Sequence, residues 1–194
     1  MQRQFFLNHS KIDAFFKQNK DDFVVTEIPL YEFSGDGEHL ILKIRKKDLS
    51  TWDALKIISD SIGVKNKDIG YAGLKDKNAM TVQSISIPKK FESSLSKLNH
   101  PNIKILETTA HNNKIKIGHL KGNNFFIRLK KVLGTQNTQI VSVLEKIKEF
   151  GVPNYFGFQR FGIDGDNYEK GAAIIKGELK VKDIKLRQMY LNAF

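Results

Sequence analysis

The sequence of 194 residues contains no cysteine and only 4 prolines. The absence of cysteine excludes disulfides, a thiol nucleophile and cysteine-ligated zinc from this chain. No apolar run approaches the roughly 18 residues that indicate a membrane-spanning helix. The opening segment MQRQFFLNHSKIDAFF also lacks the apolar core of a secretory signal peptide. These absences lead us to expect a cytoplasmic protein.

Common cofactor and metal motifs are missing as well. No glycine-rich phosphate loop occurs, and GDGEHL departs from the dinucleotide fingerprint because Leu40 replaces its third glycine. The segment DGDNYE begins like a calcium loop but carries Tyr168 where an oxygen ligand is required. The five histidines form no i, i+4 pair of the kind that grips zinc on a helix. We therefore predict that any chemistry runs on side chains alone.

Positive charge, in contrast, is abundant, with a formal net charge of +11. Such a balance favours an anionic partner, most often nucleic acid. No acidic residue occurs between Glu107 and Glu145. The basic residues of this acid-free stretch are Lys114, Lys116, Lys121, Arg128, Lys130 and Lys131.

The acid-free stretch also contains Phe125 and Phe126, directly after Asn123 and Asn124. An aromatic ring stacked on a base contributes about 1–3 kcal/mol, and an asparagine amide can read the polar edge of a base. Neighbouring strand residues face opposite ways, so one ring can bind a ligand while the other joins the core. The pattern predicts RNA or DNA binding without choosing between the rings; solvated lysines and two structural phenylalanines are the alternative.

Alternating apolar residues predict several strands. The segments DFVVTEIPLYEF and HLILKIRK, separated by SGDGE, predict a hairpin from Asp22 to Lys46. Further strands are predicted at TVQSISIP, NIKILETT, NKIKIG and NNFFIRLKKV. No regular alternation of strand and helix occurs. We therefore expect an α+β fold with a mixed, largely antiparallel sheet and flanking helices.

Helices are predicted by caps and by 3.6-residue periodicity. The first begins at Ser50, has an apolar stripe of Leu55, Ile58 and Ile62, and ends at Gly63. A short helix is predicted over residues 91–98 and a longer one over residues 138–150, ending at Gly151. From Tyr168 onward the chain is predicted to be helical to its end.

A single carboxylate lies in the segment AGLKDKNAMTVQ, where Asp76 is flanked by Lys75 and Lys77. A solvated turn would explain the composition. The sharper hypothesis is an ionised catalytic carboxylate in a basic groove, kept charged by the neighbouring lysines.

Four segments together resemble the TruD family of tRNA pseudouridine synthases. They are GYAGLKDKNAMTVQ, IGHLKGNNFFIRL, GVPNYFGFQRFG, and DFVVTEIP followed by GDGEHLILKIRK. The resemblance covers about residues 17–194 in family order. It implies an α+β pseudouridine synthase catalytic domain that isomerises uridine, at position 13 of tRNA, without a cofactor.

The resemblance also implies roles for individual residues. Asp76 matches the catalytic aspartate and Phe125 the aromatic residue that stacks on uracil. Asn123 and Phe23 match substrate-binding positions, and Lys17 matches a basic residue near the aspartate. A carboxylate could capture C1′ of the ribose, as in retaining glycosidases, or remove a proton from C2′.

Family members are much longer than this chain. We therefore expect residues 1–194 to form a partial catalytic domain, with the inserted domain and the C-terminal half absent. A non-catalytic RNA-binding remnant is the alternative.

A shared uracil nucleotide predicts a specific geometry. Asp76 and Phe125 should line one open cleft, with the Phe125 ring on the order of 10 Å from the Asp76 carboxylate. Lys17 should lie about 4 Å from the Asp76 carboxylate, directly or through one water. Phe126 should face the core.

Overall fold

The computed structural model describes residues 6–16, 19–153, 161–162 and 164–193. The chain divides into two compact units. One comprises Lys11–Asn137 and contains the sheet. The other comprises Met1–Ser10 together with Thr138–Phe194, and its described elements are helices. The expectation of one partial catalytic domain over residues 1–194 stays a prediction.

Six strands build one sheet in the first unit. They are β1 (Phe23–Pro29), β2 (His39–Lys47), β3 (Gly70–Tyr71), β4 (Met80–Pro88), β5 (Ile103–His111) and β6 (Leu120–Ile127). The strand order is β5-β2-β4-β1-β6, with the short β3 paired to β4. The β1–β4 pair is parallel and the other pairs are antiparallel. The prediction of an α+β fold with a mixed, largely antiparallel sheet is confirmed.

The predicted hairpin is wrong, because β4 lies between β1 and β2. Most residues of β4 are buried, on both faces of the strand, and such a strand is stable at the centre of a sheet rather than at its edge. The predicted strand NKIKIG is also wrong. Its Ile115 N–H donates to the Ser86 hydroxyl at 2.9 Å, and the segment forms a loop instead of pairing with a strand.

Helix α1 (Thr51–Ile62) covers one face of the sheet, and its prediction is confirmed. Ser50 and Asp53 form a capping box, and Gly63 ends the helix with a φ of 78°. The stripe of Leu55, Ile58 and Ile62 is buried against apolar residues of β2 and β4. We call this side of the sheet the α1 face; it carries Leu40, Leu42 and Ile44 of β2 and Gln83, Ile85 and Ile87 of β4.

The other helices follow the sequence less closely. A 3-10 helix spans Lys89–Lys97, and α2 spans Asn137–Phe150 and ends at Gly151, near the predicted positions. The continuous final helix is wrong: α3 (Asn167–Ile175) and α4 (Ile184–Ala193) are separated by a turn in which Gly177 has a φ of 78°. Across the described residues, no helix is both long enough and apolar enough to cross a membrane.

Candidate uridine-binding and catalytic site

Strand β6 presents two of the predicted site residues on the α1 face. In the antiparallel pairing with β1, Phe125 lies opposite Val25 and Asn123 lies opposite Glu27. Residues directly opposite each other in such a pair point to the same side of the sheet. Phe125 is 60% exposed. Its ring is therefore available to a ligand.

Phe23 supports the exposed ring from within. It is buried on the α1 face of β1, and its ring centroid lies 6.1 Å from that of Phe125, at an interplanar angle of 30°. Phe23 also packs with Val25 and Ala79 in a small buried cluster. The predicted role of Phe23 in substrate binding stays a prediction. In the structure its buried ring packs next to the exposed ring of Phe125.

The loop between β3 and β4 carries Asp76, whose side chain is exposed. Ala79, three residues later, is fully buried against Phe23 and Val25. The loop therefore lies on the same face of the sheet as Phe125, with Phe23 between them. The separation of the Asp76 carboxylate from the Phe125 ring stays a prediction.

The sequence position of Lys75 suggests that its charge keeps Asp76 ionised, but its ammonium group has a different partner. Its ammonium group forms a buried ion pair with Glu27, with Nζ 2.9 Å from Oε2. The other carboxylate oxygen, Oε1, accepts the Ser84 N–H at 3.3 Å. The Lys75 backbone N–H donates to the Thr51 hydroxyl at 2.9 Å. Lys75 thus fastens the loop to β1 and α1, and its charge is matched by Glu27.

Lys46, which no sequence motif marks, contacts the Asp76 loop through its buried ammonium group. Its ammonium is fully buried and donates to the backbone carbonyls of Leu49, at 2.6 Å, and Asp76, at 3.0 Å. Burial lowers the pKa of Lys46 to about 8, opposed in part by the charge of Asp76. The cation therefore persists at neutral pH beside the loop.

Alternation along β2 could have identified Lys46. Leu40, Leu42 and Ile44 are the core-facing residues of that strand, and Lys46 is the next position with the same orientation. A charged residue on a buried face needs polar partners. Glu27, which follows Phe23 and Val25 on the α1 face of β1, shows the same pattern.

Asn123 offers an acceptor for a ligand. Its Oδ1 is shielded from solvent and has no hydrogen-bond partner among the described residues. A buried polar atom without a partner is costly, and such atoms recur where a ligand or water completes the bonding. The amide lies two residues from Phe125 on the same face of β6.

The position of Phe126 contradicts the prediction that it faces the core. Alternation does direct it away from Phe125, but the ring is 53% exposed, with the Arg128 guanidinium 5.5 Å from its centroid. Strand β6 ends the described sheet, pairing with β1 alone. Because Phe125 is also exposed, both faces of β6 are open at these two residues.

Some basic residues of the acid-free stretch form ion pairs, and others are exposed. Lys130 pairs with the buried Asp22 at 2.7 Å, and Arg128 lies 3.5 Å from the same carboxylate. The hydrogen bond from Lys130 is the main cause of the lowered pKa of Asp22. Lys121, in contrast, is exposed at the start of β6.

Two parts of the predicted site are not described by the structure. Lys17 lies outside the described residues, and so does most of the motif GVPNYFGFQRFG, at residues 154–160. The proximity of Lys17 to Asp76 therefore stays a prediction.

Metal ligands do not assemble in the described ranges, where no group of three or more His, Asp or Glu side chains is arranged to hold an ion. In the DGDNYE segment, Asp166 instead pairs with Lys170 at 2.8 Å. The cofactor-free reaction stays a prediction.

The family model for tRNA pseudouridine synthase D (TruD) matches residues 2–183 of this chain. The chain belongs to the TruD family of tRNA pseudouridine synthases. It is 56% identical over 194 residues to tRNA pseudouridine synthase D of a Nitratiruptor species, an alignment that covers 100% of this chain and 54% of the relative. It is 57% identical over 188 residues to the Campylobacter jejuni (strain RM1221) protein of the same name, covering 97% of this chain and 50% of that one.

The fold agrees with this family. A crystal structure from Methanosarcina mazei that carries the TruD name superimposes with a TM-score of 0.73 and 27% sequence identity, covering 92% of this chain and 45% of the other. The chain thus spans about half the length of the curated relatives it matches.

Proposed function

We propose that this chain carries the uridine-isomerising site of a cytoplasmic tRNA pseudouridine synthase, acting at position 13 of tRNA with Asp76 as the catalytic carboxylate. The observation that carries the proposal is the shared location of the Asp76 loop and the exposed Phe125 ring on the α1 face, linked through Phe23. Membership of the TruD family supplies the reaction class.

The remaining site residues receive roles that fit their surroundings. Phe125 stacks on the uracil ring, because its face is exposed while Phe23 fixes it from behind. Asn123 turns toward the base so that its Oδ1 accepts the N3–H of uracil, which supplies the donor that this oxygen lacks among the described residues. Lys17 contributes positive charge near Asp76. No metal, nucleotide or organic cofactor is required.

The carboxylate has two chemical routes. In the first, an Asp76 oxygen bonds to C1′ as the C1′–N1 bond breaks, and the electron pair leaves with N1 of uracil. The uracil turns, C5 attacks C1′ and the carboxylate is released, after which C5 loses its proton and N1 gains one. In the second, Asp76 removes the C2′ proton as N1 departs, and that proton returns to C2′ after C5 has bonded. C5 then loses its proton and N1 gains one, as in the first route. A primary isotope effect from deuterium at C2′ is expected only in the second route.

The experiment that tests the proposal measures pseudouridine formation in tRNA transcripts by the purified chain. Asp76→Asn keeps the shape of the side chain and removes its charge. It should reduce the rate on the order of a thousandfold or more, as loss of a catalytic nucleophile does elsewhere. The affinity for tRNA should change little. Asp60→Asn, at an exposed carboxylate of α1, is the matched control and should retain the wild-type rate.

The second candidate function is RNA binding without isomerisation, which the basic acid-free stretch and the exposed Phe125 ring favour. Wild-type chain that binds tRNA and forms no pseudouridine would establish this alternative and exclude the synthase proposal for the chain alone. A normal rate in Asp76→Asn would instead exclude Asp76 from the chemistry.

A further inference from the structure

Lys46 is unusual because its fully buried ammonium is satisfied by carbonyl groups. Buried lysines are normally paired with a carboxylate. Here the two hydrogen bonds go to the backbone oxygens of Leu49 and Asp76. Among the described residues, no carboxylate lies within ion-pair distance of Lys46 Nζ.

The two carbonyls belong to segments far apart in sequence. Leu49 immediately precedes Ser50, the N-terminal cap of α1, and Asp76 lies in the loop before β4. A second contact lies beside the first, because the Lys75 N–H donates to the hydroxyl of Thr51. The main chain at residues 75 and 76 is therefore fixed against the start of α1.

The two buried lysines near the loop, Lys75 and Lys46, also differ in whether a carboxylate pairs with them. Lys75 is matched by Glu27 at 2.9 Å. Lys46 has no such partner among the described residues, and the groups whose charges act on it are Asp76, Lys75 and Asp53. Lys46 is thus a buried cation without a carboxylate partner in the described part of the chain, in direct contact with the Asp76 backbone.

We propose that Lys46 is a positioning residue for Asp76: its ammonium holds the Asp76 backbone against the start of α1 and thereby fixes the position of the carboxylate. The inference rests on the proposed function for its catalytic meaning. Its structural part concerns the loop alone and can be tested without turnover.

The structural test is amide hydrogen exchange of residues 73–79 in Lys46→Met. This variant keeps an unbranched apolar chain but cannot donate to either carbonyl. We expect the Lys75 and Ala79 amides to exchange at least about tenfold faster, because removing an anchor raises the population of the open loop. Lys43→Met is the matched control, on the same strand but on the opposite face and partly exposed, and it should leave the loop unchanged. A folded Lys46→Met with unchanged loop exchange would overturn the proposal.

A second measurement tests the structural part if the first variant is unusable. If Lys46→Met does not fold, a pH titration of the wild-type chain by NMR replaces it. The amide signals of residues 75–77 should then shift together with the Lys46 Nζ signal, and independent titration would overturn the proposal.

The catalytic part is read from turnover. Lys46→Met should lower kcat at least about tenfold with little change in KM, and Lys46→Arg should restore part of the rate. An unchanged kcat in a variant with a mobilised loop would overturn the positioning role. If wild-type chain forms no pseudouridine at all, the proposed function fails, while the loop measurement still decides whether Lys46 anchors Asp76.

Discussion

The loop that carries Asp76 and the strand that carries Phe125 lie on the same face of the sheet but are held in different ways. The loop is fastened from below by buried polar groups: the Lys75–Glu27 ion pair, the Thr51 hydroxyl and the Lys46 ammonium. Strand β6 is held by its backbone pairing with β1, and its aromatic rings are largely exposed. The exposed carboxylate of Asp76 thus belongs to a loop that buried polar groups fix in place. The exposed ring of Phe125 is free to contact a ligand.

This difference separates two kinds of substitution. Changes beneath the loop should alter the free energy of unfolding, because they leave buried charges or carbonyls without partners. Changes on the exposed rings of β6 should alter affinity for RNA and leave stability nearly unchanged.

The largest effect is expected at the buried ion pair. Lys75→Met removes the partner of the Glu27 carboxylate, and an unpaired buried charge typically costs about 3–5 kcal/mol. Urea unfolding should show this loss, whereas Lys77→Met, at an exposed position of the same loop, should unfold like the wild type. The double variant Glu27→Gln/Lys75→Met should recover much of the loss, because no charge is then left buried. Equal stability of Lys75→Met and Lys77→Met would contradict the structural role of the pair.

The next effect is a dependence of stability on pH. Lys46 has a folded-state pKa of about 8, below the ordinary value of 10.5. Between these values the unfolded chain binds more protons than the folded chain, so the Lys46 contribution to stability rises with pH and is constant below about pH 8. The rise should not exceed about 3 kcal/mol. Urea unfolding at pH 7.5 and pH 10 measures it as the difference between wild type and Lys46→Met. Identical pH dependence in the two proteins would show that Lys46 is not desolvated.

A smaller effect is expected on β6. Phe125→Ala should weaken tRNA binding by about 1–3 kcal/mol because the base no longer has a ring to stack on, with a change in unfolding free energy below about 1 kcal/mol. Phe126→Ala removes a ring of similar exposure from the opposite face of the same strand and should leave tRNA affinity unchanged. Fluorescence anisotropy with labelled tRNA compares the two. Equal losses of affinity in both variants would mean that the rings act through the strand rather than through a stacked base.

The sequence predicted local features well, because their causes are local. Ser50, the apolar stripe ending at Ile62 and Gly63 define α1 within one short segment. Pairing of β1 with β4 depends instead on residues 56 positions apart. The turn-like SGDGE therefore suggested a hairpin that the sheet does not contain.

The candidate site shows the same limit. The family motifs selected Asp76, Phe125, Asn123 and Phe23, whose roles stay predictions; the last three lie on the α1 face, and the Asp76 loop lies beside them. The partners that fix the loop are dispersed over β1, β2 and α1, and the sequence motif suggested that Lys75 serves Asp76, whereas its charge is matched by Glu27. Lys46 was detectable only as a charge at a core-facing position of β2.

The smallest effect distinguishes two lysines of the acid-free stretch. Lys121 is exposed, whereas Lys130 pairs with the buried Asp22 at 2.7 Å. Removing one lysine that neutralises a phosphate lowers the slope of log affinity against log salt by about 0.7–0.9. If Lys121 binds a phosphate, Lys121→Gln should reduce the slope by this amount and weaken tRNA binding mainly at low salt. Lys130→Gln should leave the slope unchanged and instead destabilise the fold, because Asp22 loses its principal hydrogen-bond partner. Anisotropy titrations at several salt concentrations, with unfolding measured in parallel, separate these outcomes. If only Lys130→Gln lowered the slope, Lys130 rather than Lys121 would be the residue that contacts a phosphate. Lys121 would then be a solvated side chain.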